Sequence, residues 1–410
     1  MKRGLLSVAA LALALAPLGA QDAGTDDAIF GAGAFDSAVT QGQTSEAANK
    51  LTWLGGVTLA SNTNLVVPTG RAAYGSQALF DGKGFLKASD PTLGALYLSY
   101  AVHHTLWSST DDPVLSTGYA VAHPDPAAPV YTLNEFHLSF DLGKTVFVRV
   151  GNQLLDWGAS SVWNPADFLN RKSEDSAVDT RAGKPGVRVH VPFPSGNVFV
   201  FADASRSVAA GVPRDLVQTG SLAFRTDATV AGWNLGLVGN FGRTSDPRLG
   251  LTATGAVAGV DLWGEVGSVL PLQDRTFSWA ASLGGERSFG LDSEWTARAE
   301  GFWNPGGRDD TALVGPVLAS WTPYYWGRVY GYAEVDKKKL LGPDVDGSVS
   351  VVSNLSDQSW QATAKAMTSF PGTLPLTFSL RYNGGPENRE FTWATGGPAW
   401  SLGISSLVSF

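Results

Sequence analysis

Ala399-Trp-Ser-Leu-Gly-Ile-Ser-Ser-Leu-Val-Ser-Phe410 is two interleaved sequences. Trp400, Leu402, Ile404, Ser406, Val408 and Phe410 are apolar except for Ser406. Ser401, Gly403, Ser405, Leu407 and Ser409 are small or polar except for Leu407. A period of two is a β-strand with one greasy face and one polar face. Chain ends usually fray in water, so a strand this well patterned needs a partner on each edge. Its greasy face must meet either a second protein layer or an apolar solvent.

The same dyad recurs along the chain. Thr145–Leu154 alternates; Val187, Val189 and Val191 oppose Arg188 and His190; Trp295, Ala297 and Ala299 oppose Arg298 and Glu300; Leu376, Phe378 and Leu380 oppose Thr377, Ser379 and Arg381. Segments of roughly ten residues are the length a tilted strand needs to cross a bilayer. Short connectors (141–144, 194–197, 226–228, 371–373) alternate with long ones (62–77, 107–129, 156–184, 304–323, 384–398). The pattern predicts an all-β fold, a transmembrane antiparallel up-and-down β-barrel over 51–410 with about eighteen strands, or sixteen as the alternative. The first strand is expected at 51–60, a hairpin between 217–226 and 229–241, and one late strand at 324–335; Val314–Trp321 could add another. A secreted β-sandwich or β-helix would share the alternation. Charged residues at 16%, against about 25% in ordinary soluble domains, and an aromatic content of 11% favour the barrel. Trp157, Trp163, Trp303, Trp321 to Trp326, Trp393 and Trp400 fall near expected strand ends, where rings would form interfacial girdles.

The N-terminus reads as an address. Met1-Lys2-Arg3, the apolar Leu5–Leu15 and the small-residue exit at Pro17–Ala20 predict a signal peptide over 1–20, followed by a short periplasmic segment over 21–50. Later apolar runs are interrupted by Gly, Pro or charge, so no spanning helix is expected. There is no Cys, so closure must come from the sheet rather than from disulfides. The net charge of −8 argues against nucleic acid as a partner.

Two stretches carry a resemblance. The alternating strand ending on Phe410, with Val408 two before it, is similar to the ending of bacterial outer-membrane barrels, where it serves as the signal read by the barrel assembly machinery. This implies the outer membrane of a diderm bacterium, with its lipid and lipopolysaccharide as surroundings. Gly151-Asn-Gln-Leu-Leu-Asp-Trp-Gly-Ala-Ser-Ser-Val-Trp-Asn-Pro-Ala-Asp167 resembles a signature of porin-like outer-membrane proteins of the alginate-export type, matching at Gly151, Gln153, Trp157, Gly158, Asn164, Pro165 and Asp167. Asn152 stands where that pattern usually has Arg or Lys. The resemblance implies an outer-membrane channel; the function expected from the barrel as a whole is passage of small hydrophilic solutes.

Face assignment nominates Arg149, Gln153, Arg188, His190, Arg298, Glu300, Lys365 and Arg381 as pore-lining. Asn164-Pro165 and Asp167 are turn and cap formers between bulky Trp157 and Trp163, so the 156–184 loop is a candidate constriction, with Trp157, Trp163, Asn164, Asp167, Arg171 and Lys172 as its residues. The inward set leans basic, which predicts a weak preference for acidic solutes. The alternative is a structural barrel or adhesin acting through its extracellular loops. His137-Leu-Ser139 has the spacing of the pair in outer-membrane phospholipases, but Phe140-Asp141 departs from their flank and the pair should face inward, so no catalytic residue is assigned. No metal site or cofactor is expected from five His without a paired spacing. Lys337-Lys338-Lys339 reads as a solvated charge run in a turn.

Overall fold

A computed structural model of the protein describes residues 51–70, 74–90, 92–110, 128–169, 182–205, 219–243, 245–271, 277–309, 325–368 and 374–409. The expected signal peptide, the 21–50 segment, Arg171, Lys172, 314–321 and Phe410 lie outside the described residues.

Eighteen strands form one sheet. They are β1 (Thr52–Pro68), β2 (Gly75–Asp90), β3 (Gly94–Thr110), β4 (Val130–Leu142), β5 (Val146–Gln153) and β6 (Lys184–Phe193). Next come β7 (Gly196–Asp203), β8 (Ser221–Val230), β9 (Trp233–Gly242), β10 (Ser245–Val257), β11 (Val260–Val269) and β12 (Ser278–Phe289). The last are β13 (Trp295–Trp303), β14 (Val329–Lys337), β15 (Val345–Asn354), β16 (Ser359–Thr368), β17 (Leu376–Gly384) and β18 (Ala399–Ser409). Each pairs antiparallel with its chain neighbours, and β18 returns to β1 with Ser409 against Thr58 and Ala399 against Pro68. The strand quoted first is thus the seam of a closed barrel, and closure leaves no edge of unpaired N–H and C=O groups.

The greasy face of β18 points outward, where Leu402 and Ile404 are each 51% exposed. Phe136 and Leu138, Leu249 and Leu251, and Phe378 and Leu380 are exposed in the same way on other strands. An apolar belt around the whole cylinder is stable only in hydrocarbon. Near the loop rim, Trp360, Tyr382 and Trp400 form a continuous outer row, with ring centroids 5.3 and 4.6 Å apart. Trp279 and Trp303 meet edge-on at 4.9 Å on the same rim. Phe289 and Trp295 pair at the other rim, 6.3 Å apart. The girdle expectation therefore holds for Trp303 and Trp400. Trp157, Trp163, Trp326 and Trp393 are instead buried inside.

Short connections occur at both ends: β9–β10 joins at the loop end between Gly242 and Ser245, and most of the others lie at the opposite end. Those of β8–β9 and β10–β11 are Ala231-Gly232 and Ala258-Gly259, with positive φ at both residues of each, as two-residue hairpins require. The hairpin expected at 226–228 is corrected: β8 runs straight through it. Asp227 looked like a turn former but is an inward residue, its carboxylate 2.8 Å from Arg225 two positions back on the same face. The first strand is likewise longer than 51–60. Ser61-Asn-Thr-Asn64 reads as loop, yet Asn62 and Asn64 continue the inward face while Leu65 and Val67 continue the outward one. The late strand expected at 324–335 runs Val329–Lys337.

Adjacent residues on one strand should behave oppositely. Ile404→Arg places a charge in the lipid belt and is expected to cost about 2–4 kcal/mol of folding free energy. Ser405→Arg, at the same depth but facing inward, should change it by less than about 0.5 kcal/mol. Equilibrium unfolding by urea from phosphatidylcholine vesicles checks both.

Candidate pore constriction

β5 ends at Gln153, and the chain then turns into the lumen instead of leaving the barrel. The backbone N–H of Leu154 donates to Glu135 on β4 (3.2 Å). Leu155, Trp157 and Leu169 pack on Phe201, Ala223 and Val238, the inward residues of β7, β8 and β9. Arg225 donates from Nη1 to the Trp157 carbonyl (2.5 Å). The segment therefore follows the inner wall around the barrel.

Its tip is held by two carboxylates. Glu265 on β11 accepts the backbone N–H groups of Ala159, Ser160 (2.6 Å) and Ala166 (3.1 Å). Glu300 on β13 accepts those of Ser161 (3.0 Å), Val162 (3.1 Å) and Trp163 (2.8 Å), together with the Trp263 indole N–H (2.9 Å). The hydroxyls of Ser160 and Ser282 lie 2.7 Å apart. An irregular loop presents backbone donors with no ladder to bond to, and a buried orphan donor is costly. The two glutamates take that role. Two wall glycines allow the approach: a Cβ on Gly250 would stand 2.8 Å from the Ala166 Cβ, and one on Gly267 would overlap the Pro165 carbonyl.

Trp163 is fully buried, stacked 5.6 Å from Phe302 and tilted against Tyr330 at 5.7 Å. Asn164 and Asp167 form the expected turn, with the Asp167 N–H on the Asn164 carbonyl and the Leu169 N–H on the Asp167 carboxylate (both 3.1 Å). Trp157, Trp163, Asn164 and Asp167 are thus brought together on one inward loop. A second loop, 385–398, meets it. Phe391 joins the cluster around Trp163, and the Glu390 carboxylate accepts from Tyr330 (2.6 Å) and Asn354 (2.8 Å). Sequence reasoning missed Glu265, Glu390 and Phe391. For Glu265 there was a signal: it is the single charge on the inward phase of Trp263-Gly-Glu-Val-Gly267.

The eight nominated pore residues all sit on inward faces but do different things. Lys365 is exposed to the open lumen, and Arg381 is half-buried on the next strand. Arg298 is half-buried between Glu286 (2.5 Å) and Glu334 (3.1 Å). His190 stacks on Phe199 at 4.2 Å and bonds Asn197 at 2.8 Å. Arg149, Gln153, Arg188 and Glu300 are buried on the inward faces of their strands. Arg149 and Arg188 are direct register partners, and Arg149 donates to Ser139 (3.1 Å). His137 and Ser139 face inward as expected, within a network that includes Glu135 and braces the loop's start.

Charge is segregated around the wall. Lys365, Arg381, Lys83, Lys87, Arg149 and Arg188 lie on the arc from β16 through β1 to β6, where Asp81 and Glu135 are paired with His103 and His137. Glu265, Glu286, Glu300, Glu334 and Asp336 lie on β11–β14. On the mouth side of the loop, a cavity of 470 Å³ opens between Pro165, Phe168 and the wall. Arg248 covers the Phe168 ring at 6.0 Å, and Arg308 covers Trp326 at 5.3 Å, both at its lining.

No family model matches the chain, and no curated protein matches it in sequence. Its structure is similar to that of the outer membrane protein OprD from Pseudomonas aeruginosa, with a TM-score of 0.54, 7% identity, and 90% of this chain and 96% of that one covered. It is similar to OpdK from the same organism, solved with vanillate (0.54, 11%, 87% and 99%), and to OccAB4 from Acinetobacter baumannii (0.54, 10%, 89% and 99%). At such identities the likeness is one of fold, and the fold is porin-like. The alginate-export likeness suggested by 151–167 finds no support in these comparisons.

The loop anchorage makes a specific prediction. Removing both acceptors (Glu265→Ala, Glu300→Ala) strands six backbone donors, each bonded at about 1.5–3 kcal/mol, so the loop should leave the wall while the barrel persists. Gly267→Val should do the same by filling the loop's seat, whereas Gly264→Ala, facing outward where a Cβ would make only ordinary contacts with Leu283 and Ser282, should not. Faster proteolysis within 154–169 and a larger, noisier single-channel conductance, with unchanged heat-modifiable migration in gels, are the expected readouts.

Proposed function

We propose that the protein is an outer-membrane channel of a diderm bacterium that passes small hydrophilic solutes and favours acidic ones. The observation that carries this reading is the inward loop. A barrel serving only as a platform has no use for a wall-anchored constriction, while a channel that selects by size does. The basic arc supports the polarity. A solute passing the constriction meets Lys365 and Arg381 on the wall away from the loop, and the mouth cavity presents Arg248 and Arg308 beside aromatic rings. Vanillate, present in the OpdK structure, is an aromatic carboxylate. An acid of that size is the kind of solute we expect here.

The surroundings belong to the same proposal. Residues 1–20 direct export, the assembly machinery reads the terminal strand through Val408 and Phe410, and the belt sits between phospholipid and lipopolysaccharide. No catalytic step, metal or cofactor is invoked.

Recordings in planar bilayers test this reading. The full chain should conduct with reversal potentials favouring anions, and deletion within 156–184 should raise conductance. Lys365→Glu with Arg381→Glu should move the reversal potential toward cations. A barrel that is sealed, or that is strongly cation-selective as wild type, overturns the proposal; a sealed barrel with loop-dependent ligand binding would favour the adhesin reading.

A further inference from the structure

The turn-side rim carries charge where a lipid-facing surface should have none. Phe289, Trp295 and Lys337 are register partners across β12, β13 and β14 and form one outward row. The Lys337 ammonium lies 4.5 Å from the Trp295 ring centroid and 3.5 Å from Glu294. The next outward row is Arg287, Ala297 and Val335. Arg287 is therefore a cation on the outer face, flanked by short side chains and deeper in the belt than the aromatic row. The β14–β15 connection folds back beside it. Its Lys338 N–H bonds the Glu294 carbonyl and its Lys339 N–H bonds Asp346, both at 2.8 Å. Leu340 covers Gly347 on the outer face, since a Cβ there would run into the leucine. Leu341 and Leu291, on the two adjoining turns, are 77% and 86% exposed. Arg287, Lys338 and Lys339 make no ion pair among the described residues.

Resting on the membrane reading, we propose that this rim is a docking site for an anionic phospholipid of the leaflet that bathes the turns. Charge and position both select that occupant. Three cations that form no ion pair among the described residues lie on neighbouring strands and turns at this rim, where acyl chains give way to headgroups, in a chain whose net charge is −8. A long cationic side chain on a lipid-facing surface bends its head toward the interface and seeks phosphate there. The lipid phosphate sits among Arg287, Lys338 and Lys339. Its acyl chains lie over Ala297 and Val335, and Trp295 and Leu340 flank it. A soluble anion would gain the charge but not the apolar contacts.

Native mass spectrometry of the full-length protein, extracted from vesicles of equal phosphatidylcholine and phosphatidylglycerol, tests this. Wild type should retain phosphatidylglycerol at least about five-fold over phosphatidylcholine, given the attraction per basic residue at a membrane surface. The Arg287→Gln, Lys338→Gln, Lys339→Gln variant should hold the two equally, and Lys144→Gln on another turn should keep the preference. Equal retention by wild type, or a preference that survives the triple substitution, overturns the site. Conductance of the same preparations is read separately. The triple variant should conduct as wild type does, so a failed lipid site with normal conductance leaves the channel reading standing, and absent conductance counts against that reading alone.

Discussion

A backbone in hydrocarbon has nowhere to send an unpaired N–H or C=O. That constraint governs the barrel. Eighteen strands must close, because an open edge would expose a row of unpaired groups at several kcal/mol each. Closure then fixes alternation, since every strand has lipid on one side and lumen on the other. A slip of one residue would exchange Leu402 and Ile404 with Ser401 and Ser405. Register is thus set by the solvent difference between the two faces, with no disulfide needed to hold it.

The same requirement reappears inside the lumen. The 154–169 loop leaves the ladder and carries its backbone donors into a confined space. Glu265 and Glu300 stand in for the missing strand, with Trp163 packing the tip against Phe302 and Tyr330. The loop is therefore a fixed part of the wall. Phe391 from 385–398 packs on the same cluster, so the two loops support each other.

The fold was legible because its information is local and repetitive. Val187, Val189 and Val191 against Arg188 and His190 is a complete statement about one strand. Errors arose where lumen residues look like loop residues. Asp227 mimics a turn and Asn62 and Asn64 mimic a connector, since a watery interior and a watery loop favour the same side chains. The inward loop was half legible. Trp157, Asn164 and Asp167 marked the loop, but the residues holding it are separated by roughly a hundred positions in sequence and share only a face and a height. Alternation gives the face; height depends on the shear of the closed sheet, which no single segment encodes. For that reason the inward face of Arg149, Gln153 and Arg188 could be read from the sequence, but their burial could not.

The lumen's asymmetry follows from where the loop lies. The loop rests on the acidic arc, and four carboxylates there are engaged: Glu265 and Glu300 accept backbone and indole N–H groups, and Glu286 and Glu334 share Arg298. Oriented N–H dipoles and a guanidinium offset much of the field that these carboxylates project into the lumen. The loop itself also separates a solute from Glu265 and Glu300. On the far wall Lys365 is exposed, and Lys83 and Lys87 share the inward face with the paired Asp81. Glu265 and Glu300 are used in holding the loop, while Lys365 stands exposed across the lumen. Interactions this close are screened less by salt than those across an open surface, so the polarity of the passage depends on which side chains the loop covers.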